Sequence, residues 1–213
     1  MSQDSRSAIL ARITGALAPK EQRAEARVLQ AAMPARKASV RPRLPSGTEA
    51  HFRAKAEANL MMVRDVARLE DVPEIVANIL TAANMPADIT VAPELAALPW
   101  PRTMSVRTGK ARIDERLTVS LATAAIAETG SVILCSGDSA PSSLTFAAEV
   151  HVIVLPCGAI RAYLEEAFEM VKALPVWPRA VNTVSGPSRT ADVAGIVVRP
   201  AHGPKAVHLL VVQ

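Results

Sequence analysis

From Thr48 onward the chain alternates amphipathic stretches with short apolar or β-branched runs. A helix is predicted near 49–60, a strand at MMVRDV (61–66), a helix near 71–84, a strand at ITVAP (89–93) and a short helix after Pro93. Next comes LTVSLATAAIAETG (117–130), whose alanine-rich end reads as a buried helix, followed by strands at SVILCS (131–136) and HVIVLP (151–156). A long helix near 158–174 and a strand at AVNTVS (180–185) complete the series. The last two runs, GIVV and AVHLLVV, are joined by RPAHGPK and could pair antiparallel at an edge. Alternation of this kind predicts an α/β protein with a mainly parallel sheet covered by helices.

Before this body the pattern differs. Ile9, Ile13 and Leu17 recur every four residues behind the potential caps Asp4 and Ser5, which predicts an amphipathic helix. A second short helical pattern follows, and PARKASVRPRLPSG, with three prolines and no acid, reads as a linker or exposed loop. The chain is therefore expected to carry a basic helical arm over residues 1–45 and one α/β domain over 46–213.

Composition narrows the class. Half of the 213 residues are apolar and only 3% aromatic, so the core must be aliphatic and base-stacking platforms are scarce. The formal charge is +4, but residues 1–55 hold 11 Lys/Arg against 4 Asp/Glu, which leaves 13 against 16 for the rest. Basicity belongs to the arm, and nucleic acid is not an expected partner. Asp4, Arg6 and Arg12 interrupt the start before a signal-peptide core can form, and no apolar run reaches the length of a membrane span. A cytoplasmic location is expected. The two cysteines, Cys135 and Cys157, lack C-x-x-C spacing and read as reduced, buried thiols, and no metal site is expected.

Chemistry is expected where strands end in polar residues, because ligands of α/β sheets bind beyond the carboxyl ends of strands. One such end is Ser136-Gly137-Asp138-Ser139, with Ser142 and Ser143 opening a following helix. Another is Ser185-Gly186-Pro187-Ser188-Arg189-Thr190, continuing to Asp192. Glycine allows close backbone approach and helix N-termini favour anions, so these loops read either as cradles for a carboxylate or phosphate or as ordinary caps. Arg189 favours the cradle reading of the second loop, because a guanidinium pairs bidentately with such anions. Glu128, followed by Thr129 and Gly130, sits in a turn before a strand. It could serve as a base, a nucleophile or a structural acceptor. His202, in a turn with Gly203, Pro204 and Lys205, is a candidate proton donor or shuttle. His151 opens an apolar strand and reads as structural, and His208 as core or sheet surface.

AAIAETGSVIL, SGPSRTADV and HGPKAVHLLVV, in that order and with the amphipathic start ILARITGAL, resemble the lactate-utilisation (LUD) domain family, in particular its lactate-utilisation protein C branch. The resemblance implies a three-layer α/β/α fold like that of sugar-phosphate isomerases and CoA transferases. It also implies work beside iron-sulfur partner proteins in oxidising L-lactate to pyruvate. Glu128, Thr129 and Gly130 match one family motif. Ser185, Gly186, Pro187, Ser188, Thr190, Ala191 and Asp192 match the second, and His202, Gly203 and Pro204 the third. The expected function is that of a subunit or accessory protein in L-lactate oxidation that binds a small anion and leaves the redox centres, iron-sulfur clusters, to its partners. The alternative is an independent acyl- or CoA-transferase-like enzyme using Glu128 as nucleophile.

Overall fold

The computed structural model describes residues 3–16, 41–112, 114–137, 140–191, 197–198 and 203–213. The chain divides into two compact units, Met1–Arg41 and Pro42–Gln213. In the first, α1 (Gln3–Ala16) is the described element. The second holds everything below.

A six-stranded, all-parallel sheet forms its centre, in the order β1 (Met62–Val66), β12 (Ala206–Val212), β7 (Val150–Pro156), β4 (Leu117–Leu121), β2 (Asp88–Val91) and β3 (Ser105–Thr108). β7 and β12 are nearly continuous apolar runs because both of their faces are covered. On one face α3 (Val72–Ala82) packs Val72, Val76, Ile79 and Leu80 against Val119, Val152, Val154 and Leu210. On the other, α2 (Thr48–Ala58) inserts Phe52 and Ala56 among Ile153, Leu155, Leu209 and Val211.

That second face also carries a smaller sheet, ordered β8 (Ile160–Arg161), β5 (Ala124–Ile126), β6 (Ser131–Cys135) and β9 (Val181–Val184). β5–β6 and β6–β9 are antiparallel. Its outer side is closed by α5 (Leu164–Lys172), which buries Ala167 and Val171 against Ala124, Ile126 and Ile133. A short helix, α4 (Ser143–Phe146), leads into β7, and β10 (Thr190–Ala191) pairs antiparallel with β11 (Val197–Val198).

Three local expectations are corrected. The alanine-rich run before Glu128 is strand β5, not a helix: Ala125 and Ala127 face the central core while Ala124 and Ile126 face α5. A strand pressed between two layers needs small side chains, and this packing overrides the helix preference of alanine. The long helix expected over 158–174 is a 3-10 turn (Cys157–Ala159), strand β8 and then α5. Finally, β12 lies in parallel between β1 and β7 rather than antiparallel at an edge, which lets Leu209 and Leu210 bury on opposite faces.

At the far edge of the large sheet, buried Glu115 accepts from Thr90 Oγ1 at 2.8 Å, from the Arg112 backbone at 3.1 Å and from Arg107 Nη2 at 3.2 Å. Arg107 also reaches Asp88 at 3.1 Å and holds that carboxyl below its ordinary range. Arg107→Met leaves Glu115 buried without its cation. Because the guanidinium is partly exposed and two donors remain, the expected loss is about 2 kcal/mol, read from urea unfolding.

Candidate functional site

A cavity of about 740 Å³ opens where β2 and β4 end. One wall is Ala92 and Leu121–Thr123, at and just past the ends of those strands, and the other is Ser136, Gly137, Arg179 and Asn182. The segment Leu174–Pro178 completes the lining, with Val176 and Trp177 largely exposed at the rim. The polar wall is held by its own hydrogen bonds. Ser136 Oγ accepts from the Ala180 amide at 2.8 Å, the Ser136 amide donates to the Ala180 carbonyl at 2.8 Å, and Asn182 Nδ2 donates to Ser142 Oγ at 3.4 Å. Cys135 lines the cavity too; it and Cys157 are free and half-buried, less enclosed than expected.

Ser120, on β4, is part of this lining, and its Oγ lies 3.0 Å from Nε2 of His151 on β7. The imidazole is fully buried, which pushes its pKa down to about 3 and keeps it neutral. Among the described residues its Nδ1 has no hydrogen-bond partner.

Other residues singled out from the sequence gather elsewhere. β6 and β9 run antiparallel, with Val132 opposite Val184 and Cys135 opposite Val181, so Ser136 and Ser185 stand at opposite ends of one ladder. Five residues of strand separate them by roughly 17 Å. At the Ser185 end, Thr129 Oγ1 donates to Ser131 Oγ at 2.8 Å, and Ser131 Oγ meets Ser185 Oγ at 2.6 Å. Asn59, just past α2, donates its side-chain amide to the Thr129 carbonyl at 2.8 Å. Gly130 and Gly186 have φ of 67° and 106°.

The Ser188 amide donates to the Pro204 carbonyl at 2.8 Å, which joins this loop to the segment around Gly203. Lys205 there is paired with Glu149 at 2.8 Å, as is Arg116, and the two cations hold that carboxyl below its ordinary range, Lys205 contributing most. Glu149 and Lys205 precede β7 and β12, so this group sits at the amino edge of the large sheet and the cavity at its carboxyl edge.

Glu128 is half-buried, and its amide donates to the Ala162 carbonyl at 3.0 Å. Arg189 is exposed, and Thr190 lies in β10. Ser143 Oγ accepts from the Ala111 amide at 3.2 Å. Asp192 and His202 fall outside the described residues, as do Asp138 and Ser139. Of the expected ligand residues, the cavity thus takes in Ser136 and Gly137, while Thr129, Gly130, Ser185, Gly186, Ser188, Gly203 and Lys205 cluster at the opposite edge. Sequence reasoning did not reach Ser120, Thr123, Arg179 or Asn182, and it took His151 as structural. The available signal was a serine and a histidine inside otherwise apolar strands, where buried polar side chains are informative.

Among the described residues no group of three or more His, Cys, Asp or Glu could hold a metal ion, and no helix is long and apolar enough to cross a membrane.

With an all-parallel six-stranded sheet, a smaller mixed sheet on one of its faces and a cavity at the carboxyl edge, the chain is an α/β domain whose cavity lies where α/β sheets commonly take ligands. Residues 50–212 match the LUD domain, and the chain belongs to that family. It is similar to "Lactate utilization protein C" of Geobacillus thermodenitrificans, 29% identical over 112 residues that make up 48% of this chain and 47% of the relative. The protein of the same name from Anoxybacillus flavithermus is 28% identical over 87 residues, 40% of this chain and 39% of that one. The matched segment thus spans less than half the length of these relatives. A DUF162 family protein from Deinococcus radiodurans shares the fold with a TM-score of 0.62 at 20% identity, over 81% of this chain and all of that one.

Proposed function

We propose that this chain is a cytoplasmic component of an L-lactate utilisation system, working beside iron-sulfur proteins that oxidise L-lactate to pyruvate. The observation that carries the reading is the LUD match over residues 50–212, together with relatives named for lactate utilisation. Within it, the chain binds a small organic anion in the cavity at the carboxyl edge, where Ser120, Ser136, Asn182 and Arg179 give a polar lining beside aliphatic walls. Electron transfer belongs to the partners, because two separated cysteines fall short of the four thiolates an iron-sulfur cluster usually takes. The basic arm over residues 1–45 docks those partners through charge.

The test is made in the source organism grown on L-lactate. Removing the chain is expected to abolish or strongly slow growth on L-lactate while growth on pyruvate continues, and affinity purification at low salt is expected to recover iron-sulfur proteins. Normal growth on L-lactate without the chain, with no such proteins recovered, would overturn the reading.

A further inference from the structure

Ser120 in the cavity wall is hydrogen-bonded to His151 behind it, and both come from the middle of the large sheet. Thr118 and His151 are register partners on adjacent parallel strands, so their side chains share a face, and Ser120 lies two residues further along β4 on that same face. Nε2 and Oγ are 3.0 Å apart. Thr118 does not serve the ring, because its hydroxyl donates to the Leu144 carbonyl at 2.7 Å.

A neutral imidazole has one N–H and one bare nitrogen. With the proton on Nδ1, a donor would be sealed in the core with no acceptor. With the proton on Nε2, the unmet group is only a lone pair, and interiors tolerate an unpaired acceptor better than an unpaired donor. The second tautomer makes Ser120 Oγ the acceptor and leaves its own proton free to be donated. Among the described residues the Ser120 hydroxyl makes no other hydrogen bond, and Ser120 lines the cavity.

We propose that Ser120 is a ligand-contacting residue that donates its hydroxyl proton to a carboxylate or keto oxygen of a 2-hydroxy or 2-oxo acid, and that His151 is its positioning residue through the Nε2–H···Oγ bond. The proposal rests on the reading that the cavity takes a small organic anion. No covalent step is involved. Thr123 and Asn182 also line the cavity.

The test is calorimetric titration of the full chain with pyruvate and with L-lactate. Ser120→Ala is expected to weaken binding of the better of the two roughly tenfold or more and, because it takes the acceptor away from the buried His151 Nε2–H, to lower the melting temperature by a few degrees with the fold kept. His151→Gln, whose amide N–H can take the place of Nε2–H, is expected to stay within about threefold of the parent, whereas His151→Leu loses as much as Ser120→Ala. Nitrogen-15 spectra of the histidine-labelled parent should place the His151 proton on Nε2, a readout that needs no ligand and stands even if His151→Leu does not fold. Parental affinity in Ser120→Ala, equal losses in the Gln and Leu variants, or a proton on Nδ1 would each overturn the proposal. So would a parent chain that binds neither acid, while growth on L-lactate decides the wider role separately.

Discussion

Gly186→Ala is expected to destabilise the larger unit by about 3–5 kcal/mol, and Gly130→Ala by a similar amount, with melting temperatures lowered by about 10 °C or more. Both glycines occupy the left-handed region, at φ 106° and 67°. A methyl at 186 would overlap the carbonyl oxygen of Asn59, and one at 130 would overlap the backbone of Lys55 and Ala56. These are backbone atoms at the end of α2, and they cannot retreat, because Phe52 and Ala56 of the same helix are wholly buried in the central core. Gly109 supplies the control: its φ is 99°, yet among the described residues nothing lies within 4 Å of an added methyl. Gly109→Ala therefore reports conformational strain alone, on the order of 1 kcal/mol. Denaturant unfolding of the three variants separates strain from overlap. If Gly186→Ala were no worse than Gly109→Ala, the loop after β9 would not be fixed against α2.

That result bears on how the sequence is read. AETG and SGPS were legible as special turns because glycine and hydroxyl residues interrupt apolar runs, and the same residue types suit an anion cradle and a tight contact equally well. The geometry at Gly130 and Gly186 accounts for the glycines by close approach to α2, without a ligand.

The strands at 62–66, 88–91, 150–156 and 206–212 follow directly from their apolar runs, as do α2 and α3 from their periodicity. The place of β12 did not, since AVHLLVV suits an edge or a centre and only its parallel partners on both sides decide. β5 was hidden for a different reason. Ala124–Ile126 has helix-favouring composition, and its strand identity comes from β6 and β8 alongside it and from α5 above it, contacts distant in sequence. The cavity was half legible. Ser136 and Gly137 announce themselves as a polar strand end, but Ser120 and His151 meet only because β4 and β7, some thirty residues apart, are neighbours in the sheet.

The buried imidazole makes stability sensitive to mild acid. Burial alone lowers the His151 pKa from 6.5 to about 3, with no charged neighbour contributing. Above pH 6.5 the ring is neutral in both folded and unfolded chains, and pH has no effect through it. Below 6.5 the unfolded chain takes up a proton that the folded chain refuses, so stability falls by about 1.4 kcal/mol per pH unit until the folded pKa is reached. Between pH 6.5 and pH 5 the expected loss from His151 is about 2 kcal/mol. His208, lowered by burial and by Arg64, adds to the loss in the same direction. The carboxyls held down by cations, Asp88 and Glu149, lose their contribution only as pH falls below the ordinary carboxylate range, so the window from pH 6.5 to pH 5 belongs to the histidines. His151→Gln cannot take up a proton and is expected to flatten that slope, leaving the smaller His208 part. Urea midpoints at pH 7, 6 and 5 for the parent and the variant provide the measurement. Parallel pH profiles would mean that the ring takes up its proton in the folded chain as readily as in the unfolded one, which a sealed, neutral imidazole beside Ser120 does not allow.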